Sequence, residues 1–307
     1  MLGSEGAGGP RRPTIVITGA TSGVGLATAR VLARQSVEVV IVGRPAGDPE
    51  GVSRSLREET HNPSVSWAVA DLSRMEEVRR LATELLGRFP RLHGLLNNAG
   101  GIFFKRQETP EGIERTWALN VLSPFLLTNL LFPALRAAAP SRVVDVASEA
   151  HRMGRLRWND LEGRARYSGW SAYNQSKLAL ILLTQELARR WEGTGVTVNA
   201  VHPGFVRSRF GHNNNGLSAG LLRFAERVFA IPPERAALAV APLLTASEWE
   251  GVSGCYFVHG QVASPSRRAG DRAAAGRIFE ALCRQVGLPA ATPGQPFPLL
   301  GETSRIP

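Results

Sequence analysis

Tyr173 and Lys177 stand four residues apart in the segment Tyr-Asn-Gln-Ser-Lys. On a helix that spacing sets a phenol and an ammonium one above the other on a single face. A free tyrosine ionises near pH ~10, too high for proton exchange at neutral pH. A nearby cation favours the phenolate and lowers that value. The phenol can then donate to or accept from a substrate oxygen. The plain alternative is a surface helix that happens to carry both residues. The choice depends on whether the chain supplies what a Tyr/Lys acid–base pair needs around it.

Elements able to position such a pair are visible from Thr14 to Val258. Short β-branched runs occur at Ile15-Val16-Ile17, Val37–Val42, Val65–Val69, Leu92–Leu96, Arg142–Val146, Val196–Val201 and Cys255–Val258. Helical stretches lie between them, including Gly25–Ala33, Met75–Arg88, Thr116–Ala138, Ala172–Trp191 and Glu234–Ala246. Runs apolar throughout suit strands covered on both faces. The alternation predicts a single doubly wound α/β domain of Rossmann type, with a mostly parallel sheet of seven strands over 14–260. Residues 1–13 read as a flexible Gly-rich tail. Residues 261–307 read as an extension with one helix, Arg272–Val286, and a mobile Pro/Gly-rich end.

The first strand runs into Thr18-Gly19-Ala20-Thr21-Ser22-Gly23-Val24-Gly25 and then a helix. Glycines there allow a tight turn and close approach of a pyrophosphate, and the helix N-terminus offers unpaired N–H groups. Gly19, Thr21, Ser22, Gly23, Val24 and Gly25 are therefore candidate dinucleotide-binding residues. After the second strand, where NAD-binding chains usually place an acidic residue, stand Gly43 and Arg44. A guanidinium in place of a carboxylate suits a 2′-phosphate and predicts NADP(H) over NAD(H). The alternative is an Arg44 that points to water.

Composition narrows the function classes. The net charge is +10, but the arginines are scattered and no basic run with interleaved aromatics occurs, so no nucleic-acid partner is expected. Two cysteines, Cys255 and Cys283, fit a reducing, cytoplasmic location. The most membrane-like stretch, Ala118–Leu135, contains Asn120, Ser123, Pro124, Thr128, Asn129 and Pro133 and reads as a helix buried in protein rather than a span. Six separated histidines form no ligand-type cluster, so no metal site is expected.

Taken in order, Thr18-Gly-x-x-x-Gly23-x-Gly25, Asp71-Leu72, Asn97-Asn98-Ala99-Gly100, Asn120, Ser148, Tyr173-x-x-x-Lys177 and Pro203-Gly204-x-Val206 resemble the short-chain dehydrogenases/reductases. The resemblance covers Thr14 to about Val258. Val144–His151 and Tyr173–Arg190 look most like the retinol dehydrogenase-like branch. The resemblance implies that Asp71 and Leu72 border the adenine. It implies that Asn98, Ala99 and Gly100 line the adenosine-side ribose. Val206 would meet the nicotinamide carboxamide through its backbone and Ser208 would lie near the phosphates, with Pro203 and Gly204 also cofactor-binding. By the same resemblance Ser148 holds the substrate oxygen and Tyr173 exchanges its proton. Lys177 would hold the nicotinamide ribose and lower the phenol's pKa, and Asn120 would support a water chain.

The implied activity is NADP(H)-dependent interconversion of a carbonyl and an alcohol on a fairly apolar small-molecule substrate. A non-catalytic NADP(H)-binding sensor or scaffold is the rival from another class. An epimerase or dehydratase of the extended branch fits less well, because its glycine spacing differs. The segment between Ser148 and Tyr173 is longer than in compact relatives and is expected to overhang the site. A substrate lid is expected over 205–230, whose apolar face could cover substrate, touch a membrane surface or pack on the body. Membrane-bound relatives often begin with a hydrophobic anchor, which this sequence does not show. Family members commonly pair through helices corresponding to Thr116–Ala138 and Ala172–Trp191, which implies a homodimer or homotetramer.

Overall fold

Strand β1 (Thr14–Thr18) is buried along its whole length. Its side chains divide between two cores, Val16 entering one and Ile15 and Ile17 the other. The same division holds for Val40 against Val39 and Ile41, and for Val143 against Val144. A strand with both faces covered needs apolar side chains at every position, which is why these runs show no polar alternation. The computed structural model describes residues 12–206 and 231–289.

The chain continues through α1 (Gly23–Arg34), β2 (Glu38–Gly43), α2 (Pro49–Thr60), β3 (Val65–Val69), α3 (Met75–Arg88) and β4 (Gly94–Asn97). Then come α4 (Arg115–Ala137), β5 (Ser141–Val146), α5 (Gly169–Arg190) and β6 (Val196–His202). After the gap follow α6 (Pro233–Thr245), β7 (Tyr256–Val258), β8 (Gln261–Ala263) and α7 (Arg272–Val286). The strand order is β3-β2-β1-β4-β5-β6-β7-β8, parallel except for the last pair. The order reverses beside β1, which pairs with both β2 and β4. A crevice opens at such a switch point beyond the strands' C-terminal ends.

Three details differ from the expected pattern. The sheet has eight strands rather than seven, because His259 (φ 50°) and Gly260 (φ 81°) form a two-residue turn that brings β8 back antiparallel to β7. Helix α4 is not uniform: residues Ala118–Leu122 form a π segment, a local widening often found at functional sites. This helix is long and apolar enough to cross a membrane by length and composition, yet 89% of its apolar window is buried in the fold. Beyond residue 260, α7 joins the core that covers α3, α4 and α5. Asp271 caps α7 by accepting from Ala274 N at 3.0 Å, and Gly287 (φ 65°) ends it. Residues 1–11, most of the expected lid (207–230) and the C-terminal end (290–307) lie outside the described residues.

Candidate active site

The glycine turn after β1 is built against the turn after β4. Thr18 Oγ1 donates to Leu96 O at 3.2 Å and accepts from Asn98 N and Ala99 N at 2.9 and 3.1 Å. Asn98 Nδ2 returns the tie, donating to Thr18 O and Gly19 O at 2.9 and 3.1 Å. Gly19 takes φ +64°, and a Cβ there would lie 2.9 Å from Ala99 Cα. Ser22 caps α1 without a side-chain hydrogen bond, so the first N–H groups of the helix face the crevice uncapped. These features fit the phosphates of a dinucleotide: a backbone cradle, a helix N-terminus and no intruding side chain.

Gly25 lies behind that cradle. A Cβ there would sit 2.5 Å from Asn98 Nδ2 and 2.6 Å from Gly19 O. Gly25→Ala must therefore push the two turns apart, an overpacking cost of about 1–3 kcal/mol. If that cost falls on the bound state, cofactor affinity drops by about tenfold to a hundredfold. Fluorescence titration of the variant with NADPH measures it, and an unchanged Kd would contradict the tight fit.

One cleft of about 770 Å³ gathers almost every residue singled out in the sequence. Gly19, Thr21, Ser22, Gly23 and Val24 line it from the first turn, and Arg44, Asp71 and Leu72 from the ends of β2 and β3. Asn98, Ala99 and Gly100 line it from β4, with Ser148, Tyr173 and Lys177 beyond them and Pro203, Gly204 and Val206 at the far end. Ser208 lies outside the described residues. A second cleft of about 750 Å³ lies at the opposite ends of β5 and β6, and none of these residues lines it. Among the described residues no three His, Cys, Asp or Glu side chains converge as metal ligands.

Ser148 is fixed by the turn that follows β5. Its hydroxyl accepts from Ala150 N at 3.2 Å, and its carbonyl accepts from His151 Nδ1 at 2.8 Å. His151 Nε2 accepts from Ser266 N at 2.9 Å, which places the ring proton on Nδ1. Burial lowers the His151 pKa and keeps this imidazole neutral. The Ser148 hydroxyl is thereby held against Tyr173 on α5.

Burial pushes the Tyr173 phenol up to about 12, and its hydrogen bond with Ser148 pulls it down. The expected lowering by Lys177 is not what dominates here. Lys177 Nζ lies 5.8 Å from the centroid of the Tyr173 ring and donates to Val146 O at 2.7 Å. Desolvation of the phenol therefore outweighs the cation. Lys177 itself is pulled down to about 8 by burial, with Asp145 opposing.

Asn120 sits in the π segment of α4. Its Oδ1 accepts from Gly101 N at 2.9 Å, and its Nδ2 donates to Gly101 O at 2.9 Å and Ser176 Oγ at 3.0 Å. Ser176 Oγ in turn donates to Tyr173 O at 2.7 Å. Asn120 thus locks the loop after β4 to the turn of α5 that carries Tyr173.

Sequence reasoning missed a buried polar group behind these residues. Asp145 on β5 accepts from Asn97 Nδ2 and Thr184 Oγ1, both at 2.8 Å. Asn97 Nδ2 also donates to Thr128 Oγ1 at 2.9 Å. The available signal was a lone carboxylate inside the apolar run Arg-Val-Val-Asp-Val. Also missed was the apolar rim. Met153, Trp170 and Phe205 line the cleft although they are exposed, and Trp170 packs on Phe104 at 5.6 Å. Met153 and Trp170 belong to the long segment between Ser148 and Tyr173, which does overhang the site.

A parallel α/β sheet with a phosphate cradle at its switch point and a Ser/Tyr/Lys set beside it defines a dinucleotide-dependent dehydrogenase class. The chain belongs to the short-chain dehydrogenase family, whose model matches residues 13–216. Within it the chain falls in the retinol dehydrogenase-like branch and is an oxidoreductase acting on CH–OH and C=O groups. It is 36% identical over 291 residues to retinol dehydrogenase 13 of Homo sapiens, covering 93% of this chain and 88% of that protein. It is 38% identical to retinol dehydrogenase 12 of Mus musculus, covering 89% and 86%. A solved structure from Mycobacterium paratuberculosis is 33% identical with a TM-score of 0.69, covering 89% of this chain and 92% of that one. The RhlG/NADP active-site complex of Pseudomonas aeruginosa is 28% identical with a TM-score of 0.62, covering 80% and 94%.

Proposed function

We propose that this chain interconverts a carbonyl and an alcohol on a fairly apolar substrate, with NADP(H) as cofactor and Tyr173 as the proton donor and acceptor. The observation that carries this reading is the Ser148–Tyr173 hydroxyl pair in the cleft, with Lys177 one helical turn behind. A bound nicotinamide supplies or takes up the hydride. The cradle from Gly19 to Val24 would hold its phosphates, and Lys177 would meet its ribose. The two hydroxyls orient the substrate oxygen and stabilise the charge that develops on it. A phenol with a pKa near 12 is protonated at neutral pH, so Tyr173 enters reduction as the donor. The apolar rim of Met153, Trp170 and Phe205 favours an apolar substrate body.

The NADP(H) assignment rests on Arg44. It is exposed at the cleft's edge, and its guanidinium has no hydrogen-bond or ion-pair partner among the described residues. A charge-assisted bidentate contact to a 2′-phosphate is worth about 1.5–3 kcal/mol. Arg44→Ala is expected to raise KM for NADPH by about tenfold to a hundredfold while KM for NADH changes little. Steady-state kinetics with both cofactors measure this, and equal effects would remove the 2′-phosphate argument. Rates with NADPH across aldehydes and ketones graded by chain length and ring size test the reaction itself. Tight NADPH binding without turnover across that panel would favour the sensor instead.

A further inference from the structure

Lys177 is buried, and burial works against its charge. A lysine in that position loses its proton readily unless a negative charge lies near. Among the described residues no carboxylate forms a direct ion pair with it; its hydrogen bond goes to the carbonyl of Val146. The preceding residue on the same strand is Asp145, buried in the layer that α4 and α5 cover.

The surroundings of Asp145 are built for a carboxylate. The sheet register sets Asn97 directly beside it, and the Asn97 amide donates to Asp145 Oδ1. Helix α5 supplies Thr184 to Asp145 Oδ2. Thr184 follows Lys177 by seven residues, two helical turns, so one stripe of α5 carries both the hydroxyl and the ammonium. Two donors satisfy only part of an ionised carboxylate. A nearby positive charge adds to their stabilisation, and Lys177 is the cation that supplies it.

We propose that Asp145 is the buried counter-charge that keeps Lys177 an ammonium, a positioning residue that acts through Lys177 and never touches substrate. The carboxylate is pushed up to about 6 by burial, with Asn97, Thr184 and Lys177 pulling it down. The sign follows for both groups. Below about pH 6 Asp145 protonates and its support of Lys177 is lost; above about pH 8 Lys177 gives up its proton. Both are charged between those values.

Other groups facing the site do not substitute for Asp145. Tyr173 on α5 is protonated at neutral pH, and burial holds His202 on β6 neutral, down to about 4. His151 is neutral. The Glu149 carboxylate is taken up by Tyr256 and Arg152. Arg44 and Asp71 line the far part of the same cleft, and Asp71 accepts from Ser73.

The importance of a charged Lys177 rests on the proposed function, but its coupling to Asp145 can be read without turnover. The chain has only two lysines, Lys105 and Lys177, so lysine labelled with carbon-13 gives two side-chain signals. Lys105→Arg, at an exposed position, assigns them. In the unaltered chain the Lys177 signal should titrate in two steps, a minor one as Asp145 protonates and a major one as its own proton leaves. In Asp145→Asn the minor step should vanish, and the major midpoint should fall by about one pH unit or more. The alkaline limb of kcat for carbonyl reduction should move down by the same amount.

A Lys177 midpoint unchanged in Asp145→Asn, or a single-step titration in the unaltered chain, would overturn the inference. The second measurement needs no variant, so it decides even if Asp145→Asn does not fold. A shifted Lys177 midpoint with an unmoved pH–rate profile would uphold the coupling and refute the catalytic role of the ammonium.

Discussion

Tyr173→Phe is expected to lower kcat by about 10²–10⁴-fold while the chain still binds its cofactor. The substitution removes one oxygen from a buried ring and leaves the ring's packing against Ile102 in place. The hydroxyl's partner, Ser148, keeps its hydrogen bond from Ala150 N, so the turn after β5 should not move. Lys177 and the glycine cradle are untouched, which is why binding survives. On the proposed mechanism, what disappears is the donor of the proton that reduction needs. Stopped-flow hydride transfer and cofactor fluorescence titration separate the two quantities. A variant within tenfold of the parent rate would remove Tyr173 from the mechanism.

The pH dependence tests the groups around Tyr173 rather than the phenol itself. Tyr173 titrates near 12 and Lys177 near 8. Within the ordinary assay range, the alkaline fall of the reduction rate should therefore follow the ammonium rather than the phenol. The acid side should follow Asp145, whose carboxylate titrates near 6.

The parts of the site that could be read from sequence are local. Tyr173 and Lys177 are one helical turn apart, and Gly19 to Gly25 lie within one turn and one helix start. Their relation is a matter of spacing alone. Asp145 was illegible as a partner because its neighbours come from β4, α4 and α5, joined only by sheet register and helix packing. The same limit applies to the fold. Met75–Arg88 and Arg272–Val286 are amphipathic and follow from periodicity, and the second is also marked by its caps, Asp271 and Gly287. Strand β8 has three residues, too few for alternation to show, and rests on left-handed geometry at His259 and Gly260. The π segment of α4 left no mark in the apolar pattern, because it changes the register of backbone hydrogen bonds and not the residue types.

Where α7 lands was equally unreadable, and it leads to the largest expected loss of stability. The helix crosses α5 and reaches α4, laying Phe279 edge-on against Phe125 with centroids 5.3 Å apart. The Arg190 guanidinium covers the Phe279 ring at 3.8 Å, and Trp117 Nε1 donates to Gln285 Oε1 at 3.0 Å. Phe279→Ala is expected to cost about 3–5 kcal/mol, because the ring is fully buried and a cavity remains between three helices. The aromatic pair and the cation over the ring contribute about 1 kcal/mol each within that total. Gln285→Ala removes a neutral hydrogen bond at the same contact and should cost only about 1 kcal/mol. Urea unfolding distinguishes the two. A loss below about 1 kcal/mol for Phe279→Ala would mean that α7 rests on the core without belonging to it. The larger loss would mean that α7, anchored by this ring, is part of the folded core that it shares with α4 and α5.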